Sequence, residues 1–269
     1  MVVAPGGPLY GPETITARVV TESVLLLGGP RALLMQLADP AVAAGVADYS
    51  GFRADPFGRL VRTLDAMTTI SFGPAAAREA TLDHLHRVHT SVRGTLEDGT
   101  AYEANDPAHL LWVHATLIDT VIQIERRYLG YLRPDERERW YDESKLIARA
   151  FAIPESLIPI DLAAFDAYMR EQAAVLTVSA TARELGREIL NPRVPLVPSP
   201  LWEPLRLVTI DLLPRTYREG YGLSWDRNRK LLLRSSQVAA RLVLPRIPRP
   251  VRNLPTTARR NRRTFARAS

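Results

Sequence analysis

The chain has 269 residues, 46% of them hydrophobic and 24% charged, which suits one large domain or two small ones rather than a disordered chain. It has no cysteine, which excludes a disulfide framework, a thiolate-ligated metal or haem, and a cysteine nucleophile. The formal net charge is +6, carried by 33 arginines and only two lysines, Lys145 and Lys230.

In chain order, the N-terminal MVVAPGGPLYGPET lacks the basic start and apolar core of a signal peptide, so the expected compartment is cytoplasmic. The apolar stretch Val24–Leu37 is broken by Gly28-Gly29-Pro30-Arg31, well short of the ~20 apolar residues of a membrane span. Leu33, Leu34 and Leu37, extended by Val42 and Val46, share one side of a helix. Asp55-Pro56 caps and starts a helix through about Ser71. Gly73-Pro74 breaks it, and the next helix runs to about Arg93, where Gly94 stops it. Asp98-Gly99 marks a turn within Gly94–Asn105. Asp106-Pro107 starts a long helix to about Leu129, and Arg133-Pro134 starts a charge-rich one to about Ala152. Further helices are expected at about Leu162–Leu176, Thr181–Leu190 and Asp226–Leu244, with Pro192, Pro195, Pro198 and Pro200 marking the longest connection. No βαβ alternation appears. The fold class read from this pattern is all-α: one mostly helical domain over residues 1–244, then an extended Arg/Pro-rich tail over 245–269.

The basicity has an address. All 29 acidic residues lie in residues 1–226, beside 22 of the 35 basic ones, while residues 227–269 carry the other thirteen and no acid. An acidic body therefore ends in a basic tail. Arg259-Arg260-Asn261-Arg262-Arg263 is suited to phosphate, on nucleic acid or at an anionic lipid surface. The tail's one aromatic, Phe265, offers no stacking platform for bases. Specific nucleic-acid recognition is not expected; the tail reads either as a solvated terminal extension or as a point of peripheral contact with an anionic membrane.

The five histidines, His84, His86, His89, His109 and His114, all fall on two successive predicted helices. Leu85, Val88, His89 and Val92 form one apolar stripe, and Leu110, Val113, His114, Leu117 and Val121 form another. Both His89 and His114 are thus expected to be buried, with Arg93 one turn beyond His89 on its side. Two imidazoles in apolar surroundings suit a haem better than a small hydrated metal, which wants carboxylates. Arg59, Arg62 and Arg93 supply charge for propionates. A zinc triad of His84, His86 and His89 fails because residues two apart on a helix point to opposite faces. Asp83-x-x-His86 is only one of the two motifs that a di-iron bundle site needs. There is no GxSxG, GxGxxG or P-loop pattern.

The stretch GGPRALLMQLADPAVAAGVADYSGF, followed by DPFGRLVRT, HRVHTSVRG, DGTAYEANDPAHLLWVHATL and LLPRTYREGYGLSW, resembles the MpaB-type oxygenases, of which the latex-clearing proteins (rubber oxygenases) are distant relatives. The resemblance runs over roughly residues 15–240. It implies a helical fold with a globin-like core, a b-type haem and oxidative chemistry with dioxygen on a hydrophobic small molecule such as an isoprenoid chain. The H-x-x-x-R motif of those relatives falls on His89, the implied iron ligand, and Arg93; an R-x-x-x-T motif falls on Arg59 and Thr63. Thr116 and Arg218 match a later threonine and a late arginine. His114 matches the histidine of W-V-H-A-T, with three roles open to it: distal ligand, hydrogen-bond donor to bound oxygen, or structural residue. The chain departs from the pattern at Asp39, where relatives read A-H-P, and at Tyr49, where they read D-H-S. The competing readings are a non-enzymatic haem-binding redox or sensor protein, and a helical interaction protein with an anion-binding tail.

Overall fold

The protein is described from a computed structural model, which defines residues 6–49, 56–192 and 202–253. Helices dominate it. Thr14 accepts from the Ala17 amide to start α1 (Ile15–Val19), and a 3₁₀ segment (Ser23–Gly28) leads into α2 (Gly29–Gln36). The expected run through Leu37, Val42 and Val46 is two helices instead. Asp39 breaks it: its Oδ1 accepts from the amides of Ala41 and Val42, capping α3 (Pro40–Tyr49) with Pro40 at the first helical position.

α4 (Pro56–Phe72) and α5 (Ala75–Ser91) pack on each other as a helical hairpin. Gly73 makes its turn possible, since a Cβ there would lie 2.5 Å from the Thr69 carbonyl oxygen. α5 ends at Ser91, short of the expected Arg93. Val92 turns extended (φ −91°, ψ 91°), and the chain enters a small antiparallel hairpin, β1 (Arg93–Thr95) with β2 (Ala101–Glu103), in which Arg93 faces Glu103. The Asp98-Gly99 turn closes it, with Gly99 at φ +87°. Strand pairing across that turn draws Arg93 off the helix.

Asp106 caps α6 (Pro107–Ile124), which winds into a π-helical turn (Glu125–Leu129) ended by Gly130 in the left-handed region, φ 65°. There follow α7 (Pro134–Ala150), α8 (Leu162–Val175) and α9 (Ala180–Leu190). Next come α10 (Glu203–Leu212), α11 (Arg215–Gly220) and α12 (Arg227–Val243). The proline-rich connection at 193–201 lies outside the described residues. Beyond α12, a 3₁₀ turn (Leu244–Arg246) and the short α13 (Arg249–Arg252) fold back onto the body. Arg252 reaches buried Glu22 at 3.2 Å, and Asn253 bridges to the Glu22 backbone. The remaining tail, 254–269, with its arginine cluster, lies outside the described residues. No helix among the described residues is long and apolar enough to cross a membrane.

α6 is the axis of the core. Trp112 joins Leu34, Met35, Leu185 and Tyr217 on one side. Ile118 and Ile122 join Trp140, Tyr141 and Phe165 on another, and Ile124 packs with Tyr128, Val208, Leu212 and Leu233 at the end. Between these clusters sits a buried charge network. Arg31 donates through Nε to the Leu212 carbonyl at 2.8 Å and through its other nitrogens to Thr120 and Asp119, tying α2, α6 and α10 together. A fully buried arginine is tolerable only with its donors answered in this way.

Candidate active site

The two histidine stripes do not lie as expected. α6 fully buries Leu111, Trp112, Ala115, Thr116, Ile118 and Ile122, whereas the stripe Leu110, Val113, His114, Leu117 and Val121 is only half covered. α5 has no fully buried residue; Leu85, His89 and Val92 are half-buried, and Val88 is 45% exposed. His89 and His114 are therefore partly covered and not sealed, each keeping some exposed surface, with the His114 ring the more deeply desolvated of the two. The reason is that the body's core forms on other faces of α6, while α5 packs chiefly on α4.

His114 has no hydrogen-bond partner among the described residues. Removal from water holds its pKa down to about 4, so near neutral pH it is an uncharged imidazole with one ring nitrogen able to accept or to bind and the other an N–H donor. Burial also lowers the pKa of His89, helped by the nearby His86, while a hydrogen bond with the Asn105 side chain works the other way. Asn105 is itself placed by α5: its Nδ2 donates to the His86 carbonyl at 3.2 Å and to Thr90 Oγ1 at 3.0 Å.

On α4, Arg59, Arg62 and Thr63 fall on one face. Thr63 is exposed and its hydroxyl donates to the Arg59 carbonyl at 2.9 Å. Arg59 is half-buried, and burial and then the neighbouring Arg62 lower its pKa. Its side chain lines a cleft of about 250 Å³, counted out to open solvent, whose walls include Leu33, Leu37, Val42, Val46 and Leu185 from α2, α3 and α9. Much of that volume is open solvent, so the walls form a shallow apolar notch beside Arg59 and not an enclosed pocket.

The remaining expected residues are scattered. Arg93 is exposed on β1, and its carbonyl accepts from the Tyr49 hydroxyl at 2.8 Å. Thr116 is fully buried and donates to the Val113 carbonyl at 2.8 Å. Arg218, half-buried on α11, donates to the carbonyls of Ile210 and Leu213 at 3.3 and 3.1 Å, closing the end of α10. Among the described residues no group of three or more histidine and acidic side chains comes together as a metal cage.

A family model described as ER-bound oxygenase mpaB/B'/rubber oxygenase, catalytic domain, matches residues 17–244. The chain belongs to this oxygenase family. Two uncharacterized proteins, one from Mycobacterium bovis and one from Mycobacterium tuberculosis, are each 28% identical to it over 223 residues, covering 78% of this chain and 87% of theirs. No solved structure matches.

Sequence reasoning missed three features of the oxygenase. Asn105 gave no signal beyond its place before Asp106-Pro107. The Arg31–Asp119 pair was visible as single opposite charges inside two otherwise apolar helices. The third is His109, whose Nδ1 lies 2.7 Å from Asp39 Oδ2. That hydrogen bond raises the His109 pKa more than partial burial lowers it. The two departures from the relatives' pattern are thus built into the packing: Asp39 caps α3 and holds His109, and Tyr49 bonds the Arg93 carbonyl.

Proposed function

We propose that this oxygenase uses a b-type haem and dioxygen on a hydrophobic small-molecule substrate of isoprenoid-like or alkene type. The observation that carries the reading is the pair of half-covered apolar stripes on α5 and α6, each holding an imidazole whose pKa is lowered, one of them without a hydrogen-bond partner among the described residues. Neutral imidazole is the iron-binding form, and an uncovered apolar surface is what a porphyrin face needs.

When bound, the haem supplies the iron at which dioxygen is activated. The chain supplies the rest. His89 would hold the iron through one ring nitrogen, and Asn105 would engage the other, setting ring orientation and tautomer. Arg59, at the cleft wall, offers a partly desolvated guanidinium to a propionate; Arg93 offers a second charge from the exposed β1. Arg218 acts through α10, whose last carbonyls it holds. Uncharged His114 would offer its ring N–H as a hydrogen-bond donor beside the haem. Leu110, Val113 and Leu117 keep water away and give an apolar substrate its surface. Thr63 is the polar group at the open edge, and Thr116 supports the α6 backbone beneath His114.

The test is the absorbance spectrum of protein purified and reconstituted with haem. A Soret band is expected, lost in His89→Ala and kept but shifted in His114→Ala. Absence of the band in the wild-type protein sinks the reading, and loss of haem in His114→Ala alone reverses the ligand assignment. The unpartnered His114 ring also favours one second reading, a bis-imidazole redox or sensor protein. Its mark is a low-spin ferric spectrum unchanged by azide.

A further inference from the structure

We propose that the outward face of α12 is a docking surface for an anionic lipid bilayer. The helix is divided cleanly. Inward, Leu233 and Ala240 pack against the cluster of Ile124, Tyr128, Val208 and Leu212, and Gln237 donates to Asp211 at 3.0 Å. Outward, Leu231, Val238 and Leu242 stand 55%, 59% and 57% exposed. At 100° per residue, spacings of seven and eleven put these three within about 40° of one another, in one ridge.

A basic row runs beside that ridge. Arg227 and Arg234 lie seven residues apart with Lys230 between them, all exposed and none with an ion-pair partner among the described residues, while Arg241, seven residues further on, lays its guanidinium against Gly130 of the body. Arg246, Arg249 and Val251 continue the exposed surface past the helix. Of the other nearby arginines, Arg252 pairs with Glu22, whose carboxylate Arg249 also faces, and Arg229 pairs with Asp226 at the start of its own helix. No carboxylate occurs anywhere in residues 227–269, while the rest of the chain is net acidic. That asymmetry turns α12, and not the body, toward a negative surface.

An apolar ridge bordered by cations is what an interfacial helix presents to headgroups and the upper acyl region. A nucleic acid would leave the leucines in water. A second copy of the chain would bring two rows of like charge together. A bilayer containing acidic lipids answers both halves of the surface.

The experiment is co-sedimentation of the full-length protein with sucrose-loaded vesicles of phosphatidylcholine, with or without phosphatidylglycerol. Binding is expected only to the mixed vesicles, and it weakens with added salt. The exposed-face variant Leu231→Glu/Val238→Glu/Leu242→Glu is expected to lose binding about ten-fold or more. Arg227→Glu/Arg234→Glu, which touches no buried group, is expected to lose a comparable amount while keeping the wild-type circular dichroism. The full-length Arg259→Glu/Arg260→Glu variant, altered only in the terminal cluster, is expected to lose less than either. Equal binding to pure phosphatidylcholine, undiminished binding of both α12 variants, or abolition by the terminal variant alone would overturn the proposal. So would a solution dimer dissociated by Val238→Glu in a protein that binds neither vesicle, which would make a second copy the occupant.

Discussion

α5 and α6 follow one another in the chain and carry the same pattern, an apolar stripe interrupted by a histidine, yet they are covered very differently. α6 is the axis of the body, with core clusters on several faces. α5 leans on α4 and buries nothing completely. The stripe periodicity is equal in both, so periodicity reports a face that avoids water, not what covers it. In α6 other chain segments do most of the covering. On α5, and on the His114 side of α6, the described residues leave part of the surface uncovered.

The sharpest way to probe this contrast is to attack each region and compare the losses. Arg31→Ala removes the donors to Asp119, Thr120 and the Leu212 carbonyl and strands a buried carboxylate, so about 3–5 kcal/mol of stability is expected to go. A urea midpoint equal to wild type would show that the body does not depend on this network. Next in size, Leu34→Ala in the main cluster is expected to cost about 2–5 kcal/mol, and Leu60→Ala on half-open α4 less than about 1. If the two were equal, the contrast in packing would be broken.

The pH dependence is smaller and has a definite sign. His114, held at about 4 in the folded protein, takes up its proton more readily when unfolded, near 6.5. Its burial is therefore neutral to stability above about pH 6.5 and weakens the fold as pH drops toward 4. His109 acts oppositely: its raised pKa, from the Asp39 bond, adds stability below about 6.5 that is lost as pH rises through the folded value. Denaturation at pH 5 and 7 is expected to show His114→Leu recovering about 1 kcal/mol of the acid loss, the rest being softened by the ring's contact with water. An unchanged pH profile would mean that the imidazole is not held from water. Smallest of all, Arg149→Ala opens an exposed ion pair with Glu155 and is expected to change stability by less than about 0.5 kcal/mol. A large thermal shift there would move weight from the core to the surface.

Much of this could be read from the chain before folding. Capping residues and prolines are local signals, because an N-cap oxygen and a fixed proline φ act within one turn. Asp106-Pro107, Gly130, Arg133-Pro134 and Asp226 accordingly marked their helix ends to within a residue or two. The oxygenase family was legible in the order of its blocks around His89 and His114. Asp39-Pro40 carried the same capping signal but lay inside an apolar rhythm that ran straight across it.

Other features depended on partners distant in sequence. Arg93 left its helix because β2, ten residues on, offered backbone hydrogen bonds. Asn105 came to His89, and Asp39 to His109, only through the packing of whole helices. The sequence by itself determined the helices, their ends and the acidic body with its basic end, since propensity, capping and net charge are properties of neighbours. Only the tertiary structure decided which apolar stripes are sealed and which stay half open, because coverage belongs to the surface that another segment brings, not to the helix that needs it.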